Sequence, residues 1–111
     1  MQRRYSQYTV EQLREEIADL TEKAQKAEQL GMVNEYAVHQ RKIVMAKSYM
    51  MNPREYRRGH VYEIDGSPTE KFEIDYMNGV FAWGTRKTKQ DEIVNAEEAL
   101  PIALLIERLD G

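Results

Sequence analysis

Apolar side chains recur along this chain at two different periods, and the change comes near Pro53. Leu13, Ile17, Leu20, Ala24 and Ala27 follow at alternating spacings of four and three, which places them on one stripe of an α-helix. Thr9 with Gln12 three residues on forms a capping box, in which each side chain satisfies an unpaired backbone N–H, so the helix is expected to begin at Val10. Gly31 supplies the left-handed residue that ends it, after about twenty residues or roughly 30 Å.

A second helix is expected from Glu35 to about Met51, capped by Asn34 and stopped by Asn52 and Pro53. The connection is short, so the two helices pair antiparallel. At roughly 100° per residue, Tyr36, Ala37, Ile43, Val44, Met50 and Met51 form one apolar face, and Val38, Met45 and Tyr49 a second on nearly the opposite side. A helix apolar on two faces is normally covered on two sides. The first helix covers one. The C-terminal half, a second protomer or a partner covers the other, and Val38, Met45 and Tyr49 are the candidate partner-binding residues.

Beyond Pro53 the period falls to two. Phe72–Met77 and Val80–Thr85 alternate in character around Asn78-Gly79, a favoured pair for a two-residue hairpin turn. With the turn centred there, Tyr76 faces Phe81, Ile74 faces Trp83 and Phe72 faces Thr85, all on one side, while Glu73 and Asp75 go to the other, opposite Ala82 and Gly84. His60–Ile64 reads as an earlier strand with Tyr62 and Ile64 on a common face, closed by Asp65-Gly66 and Pro68. Lys87 to Glu98 reads as a long polar loop. Ala99 to Leu109 reads as a strand end or short 3₁₀ turn before a final strand or helix. Several short strands in about fifty residues suggest a small, strongly bent barrel.

Size and composition narrow the class. With 111 residues, 41% hydrophobic and 32% charged, the chain suits one packed domain. It holds no cysteine, which removes disulfides and thiolate chemistry, and Met1 to Val10 carry no apolar stretch of a signal or membrane segment, so a cytoplasmic protein is expected. The formal charge of −3 is uneven: through Arg58 eleven Lys or Arg face eight Asp or Glu, and from Gly59 onward five face eleven. That balance argues against a strongly basic nucleic-acid domain and leaves only local clusters for phosphate contact.

Candidate chemistry is sparse. Arg54, Arg57 and Arg58, with Arg86, Lys87 and Lys89 and with Arg3 and Arg4, would make a phosphate-binding strip if the fold joined them; the plainer reading is solvated surface charge. Tyr62, Phe72, Tyr76, Phe81 and Trp83 could line a peptide or cation groove, but alternation assigns Phe72, Phe81 and Trp83 to a core face, with Tyr62 and Tyr76 open between the two roles. His39 and His60 stand at no ligand spacing and read as surface histidines, so neither a metal nor a cofactor is expected. Glu73 and Asp75 on one strand face read as solubilising charge rather than an acid/base pair. No phosphate loop or nucleophile elbow is present, and catalysis is not expected.

Tyr76-Met77-Asn78-Gly79-Val80-Phe81-Ala82-Trp83-Gly84 and Glu98-Ala99-Leu100-Pro101 resemble the YfhH-like family of small bacterial proteins. Arg4-Tyr5-Ser6, Lys26-Ala27-Glu28-Gln29 with Gly31, and Asn34-Glu35-Tyr36-Ala37-Val38 through Arg41-Lys42-Ile43 extend the likeness over nearly the whole chain; residues 87–96 do not follow it. The resemblance implies an N-terminal helical hairpin joined to an SH3-like barrel, and assigns no activity and no site residue. The expectation is therefore an α+β chain, an antiparallel helical hairpin with its linker over residues 1–58 packed on a small SH3-like β-barrel over residues 59–111, as one folding unit. Its expected role is a non-catalytic interaction protein that binds a protein partner or itself. The rival is a nucleic-acid-binding or transcription-related accessory protein using the basic clusters.

Overall fold

The capping box at Thr9 forms as the sequence requires: the Gln12 N–H donates to Thr9 Oγ1 at 3.1 Å and the Thr9 N–H to Gln12 Oε1 at 2.9 Å. It opens helix α1 (Val10–Gln29) in a computed structural model that describes residues 4–111. Leu13, Leu20, Ala24 and Ala27 are buried along the expected stripe. A Schellman motif ends α1, with Gly31 at φ +70°, its N–H donating to Glu28 O and the Met32 N–H reaching back to Ala27 O. The chain re-enters a helix at once. Helix α2 (Val33–Met50) therefore starts before Asn34, which lies in its first turn and is not its cap. Ile43 packs with Leu20 and Ala24, flanked by Ile17 and Tyr36, so the hairpin is antiparallel. A 3₁₀ turn at Tyr5–Gln7 precedes α1 and touches α2.

The chain divides into two compact units between Met50 and Met51. Residues 51–58, assigned from sequence to the helical half, group with the strands. Contacts of this segment with the sheet unit fit that grouping: Tyr56 lies against Tyr62 with ring centroids 5.3 Å apart, the Arg57 N–H donates to His60 Nδ1, and Arg58 sits 3.8 Å from Asp75.

The second unit is a five-stranded antiparallel sheet of β1 (Val61–Ile64), β2 (Ser67–Asn78), β3 (Phe81–Thr88), β4 (Ile93–Pro101) and β5 (Leu105–Arg108), in the order β4-β3-β2-β1-β5. The sheet is open, with β4 and β5 at its edges. Tyr62, Ile64, Phe72, Ile74, Ala82 and Leu100 alternate onto one buried face, as the period of two demands. A 3₁₀ turn at Ile102–Leu104 leads into β5, resolving that ambiguous stretch as turn then strand.

Three expectations about the strands are corrected. Pro68 does not close a strand, because β2 already begins at Ser67. Lys87 to Glu98 is not a long loop. There, β3 runs on to Thr88, whose Oγ1 accepts the N–H groups of Gln90 and Glu92, and Asp91 at φ 71° turns the chain straight into β4. A hydroxyl that caps a turn and an Asp that tolerates the left-handed region do what a glycine usually signals. The third concerns register. Asn78 pairs with Phe81 and Tyr76 with Trp83, so the turn is Gly79-Val80, with Gly79 at φ +60°. Glycine at the first central position alone suits a II′-type turn, and it delivers Val80 into the core.

The register also breaks between Ile74 and Tyr76, where Asp75 is an extra, unpaired residue. Such a bulge switches the faces of the residues beyond it. Tyr76, Trp83 and Phe81 therefore leave the side occupied by Phe72 and Ile74, and Glu73 lies opposite Thr85. Gly84 is the residue this requires, since a Cβ there would stand 2.0 Å from the Glu73 carbonyl oxygen.

Candidate interaction surfaces

The second apolar face of α2 survives only in part. Val38 and Tyr49 are exposed, Met45 and Val44 are half-buried, and Ser48 is fully buried with its hydroxyl donating to Val44 O. Val38 lines an open groove of about 240 Å³ with Asn34, Glu35 and His39. His39 is half-buried rather than a surface residue, and its buried Nδ1 has no hydrogen-bond partner. The sequence reading missed the hairpin tip. Leu30 is 73% exposed and Val33 75%, beside Met32, because a turn of only three residues leaves their side chains no facing element.

On the sheet, Tyr76 and Trp83 stack with centroids 5.9 Å apart and planes within 3°. Tyr76 is 47% exposed and Trp83 partly so, on the face away from Phe72. The bulge at Asp75 carries no sequence signature, and for that reason alternation hid this pair. Tyr62, by contrast, is core, in ring contact with Tyr56 at 5.3 Å. Burial pushes both phenols up. His60 is half-buried too. Its Nδ1 accepts the Arg57 N–H at 3.3 Å and lies 3.4 Å from the Tyr62 hydroxyl.

The basic residues are largely answered by carboxylates. Arg86 donates from Nη2 to Glu98 at 2.6 Å and from Nη1 to Glu70 at 3.0 Å, with 18% of its side chain exposed. The bond to Glu98 holds the guanidinium even more firmly protonated than usual, and the same bond holds the Glu98 carboxyl below the ordinary range. Lys87 reaches Glu73 at 3.3 Å and Lys89 reaches Glu63 at 3.7 Å. Arg58 sits 3.8 Å from Asp75. Arg58 and Lys87, one from each cluster, thus meet β2 two residues apart, at Asp75 and Glu73. Arg54 and Arg57 are exposed, and Arg3 lies outside the described residues.

At the start of the helical unit, Tyr5 donates its hydroxyl to Glu16 at 2.9 Å, and burial with that carboxylate pushes the phenol well up. Among the described residues, no group of three or more His, Asp or Glu is arranged to hold a metal ion, and no helix is long and apolar enough to cross a membrane.

These units define an α+β protein in which a helical hairpin precedes a five-stranded antiparallel sheet, with apolar and aromatic surface on both. The chain belongs to the family described as "Protein of unknown function (DUF1811)", whose model matches residues 3–106. It is 51% identical over 108 residues to the uncharacterised protein YfhH of Bacillus subtilis strain 168, across 97% of this chain and 99% of that relative. The likeness first carried by the Tyr76–Gly84 and Glu98–Pro101 stretches thus extends over almost all of both proteins.

Proposed function

We propose that this is a non-catalytic interaction protein of the cytoplasm, built on a helical hairpin and a strongly bent SH3-like sheet, and that α2 and the hairpin tip associate with a second copy of the chain. The observation that carries the reading is the exposure of Leu30, Val33, Val38 and Tyr49 on one helical hairpin. Val38, Met45 and Tyr49 share one face of α2, and apolar surface gathered on one face marks association sites more than free surface. Met45 and the unpaired Nδ1 of His39 border the same region. The bent-barrel reading draws on the return of β5 to β1, the twelve-residue β2 with its bulge, and the 3₁₀ turn before β5.

Protein is favoured over nucleic acid because Arg86, Lys87, Lys89 and Arg58 already face carboxylates. A cation so engaged gains less from a phosphate than a free one. Sedimentation velocity tests the reading. The wild type is expected to associate, and Val38→Asp and Tyr49→Asp to shift it to monomer with unchanged circular dichroism. Met45→Asp, at a half-buried position, is expected to do the same; if it unfolds the chain, that position is core. A wild type that stays monomeric at every concentration overturns self-association through α2.

A further inference from the structure

The stacked rings have an open side. Tyr76, Trp83 and Ala99 lie in one row across β2, β3 and β4. Tyr76 stacks with Trp83 from the β2 side, the rings parallel to within 3°, and on the β4 side the neighbour of Trp83 in the row is Ala99. There Ala99 presents only a methyl group. Beyond Ala99 the sheet ends, because among the described residues β4 pairs with β3 alone.

The edge next to that ring is regular. Phe81 to Gly84 pair one-for-one with Pro101 to Glu98, whereas the shifts in the β3–β4 ladder all lie closer to Ile93. A straight stretch at an open edge offers unpaired backbone groups to another strand. Bulges guard the far part of β4, and nothing comparable guards Glu98–Pro101 except the missing N–H of Pro101.

Charge identifies the guest. From Gln90 to Glu107 the chain holds no Lys or Arg but has Asp91, Glu92, Glu97, Glu98 and Glu107. Glu97 is exposed on the edge strand itself, Glu92 is exposed just before its start, and Asp75 is exposed beside Tyr76. Two such edges from identical copies would bring like carboxylates together, and a phosphate backbone would meet the same repulsion. A cation suits both parts of the site, since it answers the carboxylates and is attracted by an indole face within about 6 Å. Natural edges are usually blunted with lysine. This one is left acidic.

We propose that the Glu98–Pro101 edge of β4, with the open face of Trp83, receives an extended lysine- or arginine-bearing segment of a partner protein as an added strand. A long basic side chain on the added strand, level with Ala99, passes over that methyl to the indole, while a flanking cation meets Glu97. The site is built from residues of β2, β3 and β4 and the self-association reading from residues of the hairpin, so different variants test the two proposals.

Trp83 is the only tryptophan, so its emission reads the site directly. The intact chain is titrated with a short blocked peptide alternating valine with lysine, with a matched valine–glutamate peptide, and with oligothymidylate. The lysine peptide is expected to shift Trp83 emission saturably, with an affinity that weakens as salt is added, while the other two leave it unchanged. Ala99→Arg, which fills the row with the protein's own cation, and Glu97→Lys, at an exposed position where misfolding is not expected, should each weaken binding about tenfold or more with circular dichroism unchanged. Lack of a response to the lysine peptide up to about 1 mM, an equal response to the glutamate peptide, saturable quenching by oligothymidylate, or Glu97→Lys having no effect would each overturn the proposal. Dissociation of a dimer by Glu97→Lys would overturn it too, by making a second copy the occupant.

Discussion

The hairpin and the sheet bury different kinds of side chain. Of the hydrophobic residues buried in the hairpin, Ala24, Ala27 and Ala46 stand beside Leu13, Leu20 and Ile43; in the sheet unit Ala82 is the one alanine among Tyr62, Ile64, Phe72, Ile74, Val80, Leu100, Ile102 and Leu105. Alanines let helices approach closely but remove little apolar area from water, at about 25 cal/mol per Å². The hairpin meanwhile leaves Leu30, Val33 and Val38 outside. Large side chains thus hold the sheet together and are partly left over on the hairpin, so single truncations should cost more in the sheet.

Phe72→Ala is the strongest way to break that contrast. Phe72 is fully buried at the centre of the sheet's inner face, and the expected loss is about 4 kcal/mol, read from urea unfolding followed by Trp83 fluorescence. A loss below about 1 kcal/mol would mean the inner face is not a packed core. Gly84→Ala tests the backbone behind it. The neighbour a methyl would strike is the Glu73 carbonyl oxygen at 2.0 Å, which cannot rotate away, so β2 and β3 must part, at about 3 kcal/mol. Restoring a regular ladder by deleting Asp75 is expected to relieve part of that loss. Tyr76 then follows Ile74 directly in the alternation and is expected to stay opposite Trp83 on the outer face, which an unchanged Trp83 emission would report.

What was legible divides along the same boundary. The hairpin could be read because its signals are local: a capping box, a stripe at spacings of three and four, a glycine with positive φ. The strands of the sheet and its inner face at Tyr62, Ile64, Phe72 and Ile74 follow from alternation. The outer face does not, because one unpaired residue at Asp75 inverts the parity of every later position up to the turn, and an aspartate in a strand gives no warning. Gly84 was the available clue. A glycine inside an alternating strand marks a bulge or a close backbone approach, and here it marks both. The β3–β4 turn was hidden for another reason, since Thr88 and Asp91 close it without glycine or proline. The carboxylates around Arg86 come from β2 and β4, and only the assembled sheet brings them together.

Glu98→Gln separates electrostatics from packing within the sheet. The side chain keeps its size but loses the charge that Arg86 grips at 2.6 Å, with about a fifth of either side chain exposed, so the expected loss near neutral pH is about 2 kcal/mol. The folded carboxyl is held below its ordinary range by the bond from Arg86. Its contribution is therefore complete above the unfolded value of about 4.3 and fades as pH falls through the lower folded value. Asp91, bonded to Lys71, is shifted the same way, so the informative quantity is the gap between wild type and variant rather than either curve alone. That gap should stay constant from neutral pH to about 5 and close in stronger acid. A gap that persists unchanged at pH 2 would assign the loss to shape instead of charge.

Thr9→Ala carries the smallest expected effect and probes the opposite unit. It removes the oxygen that accepts the Gln12 N–H and leaves Gln12 to bond the residue 9 N–H alone, at a typical cost of about 1 kcal/mol. Thr9→Ser keeps the oxygen and is expected to restore most of it. Since the hairpin core is rich in alanine, end effects should weigh more there than in a helix packed through leucines. Ala24→Gly, with a propensity cost of about 1 kcal/mol, gives the scale inside the same helix. If Thr9→Ala matches or exceeds Ala24→Gly in the loss of ellipticity at intermediate urea, the helical unit depends on its caps as much as on its interior; if it has no effect, the stripe alone holds α1 and the contrast between the two units is smaller than the side chains suggest.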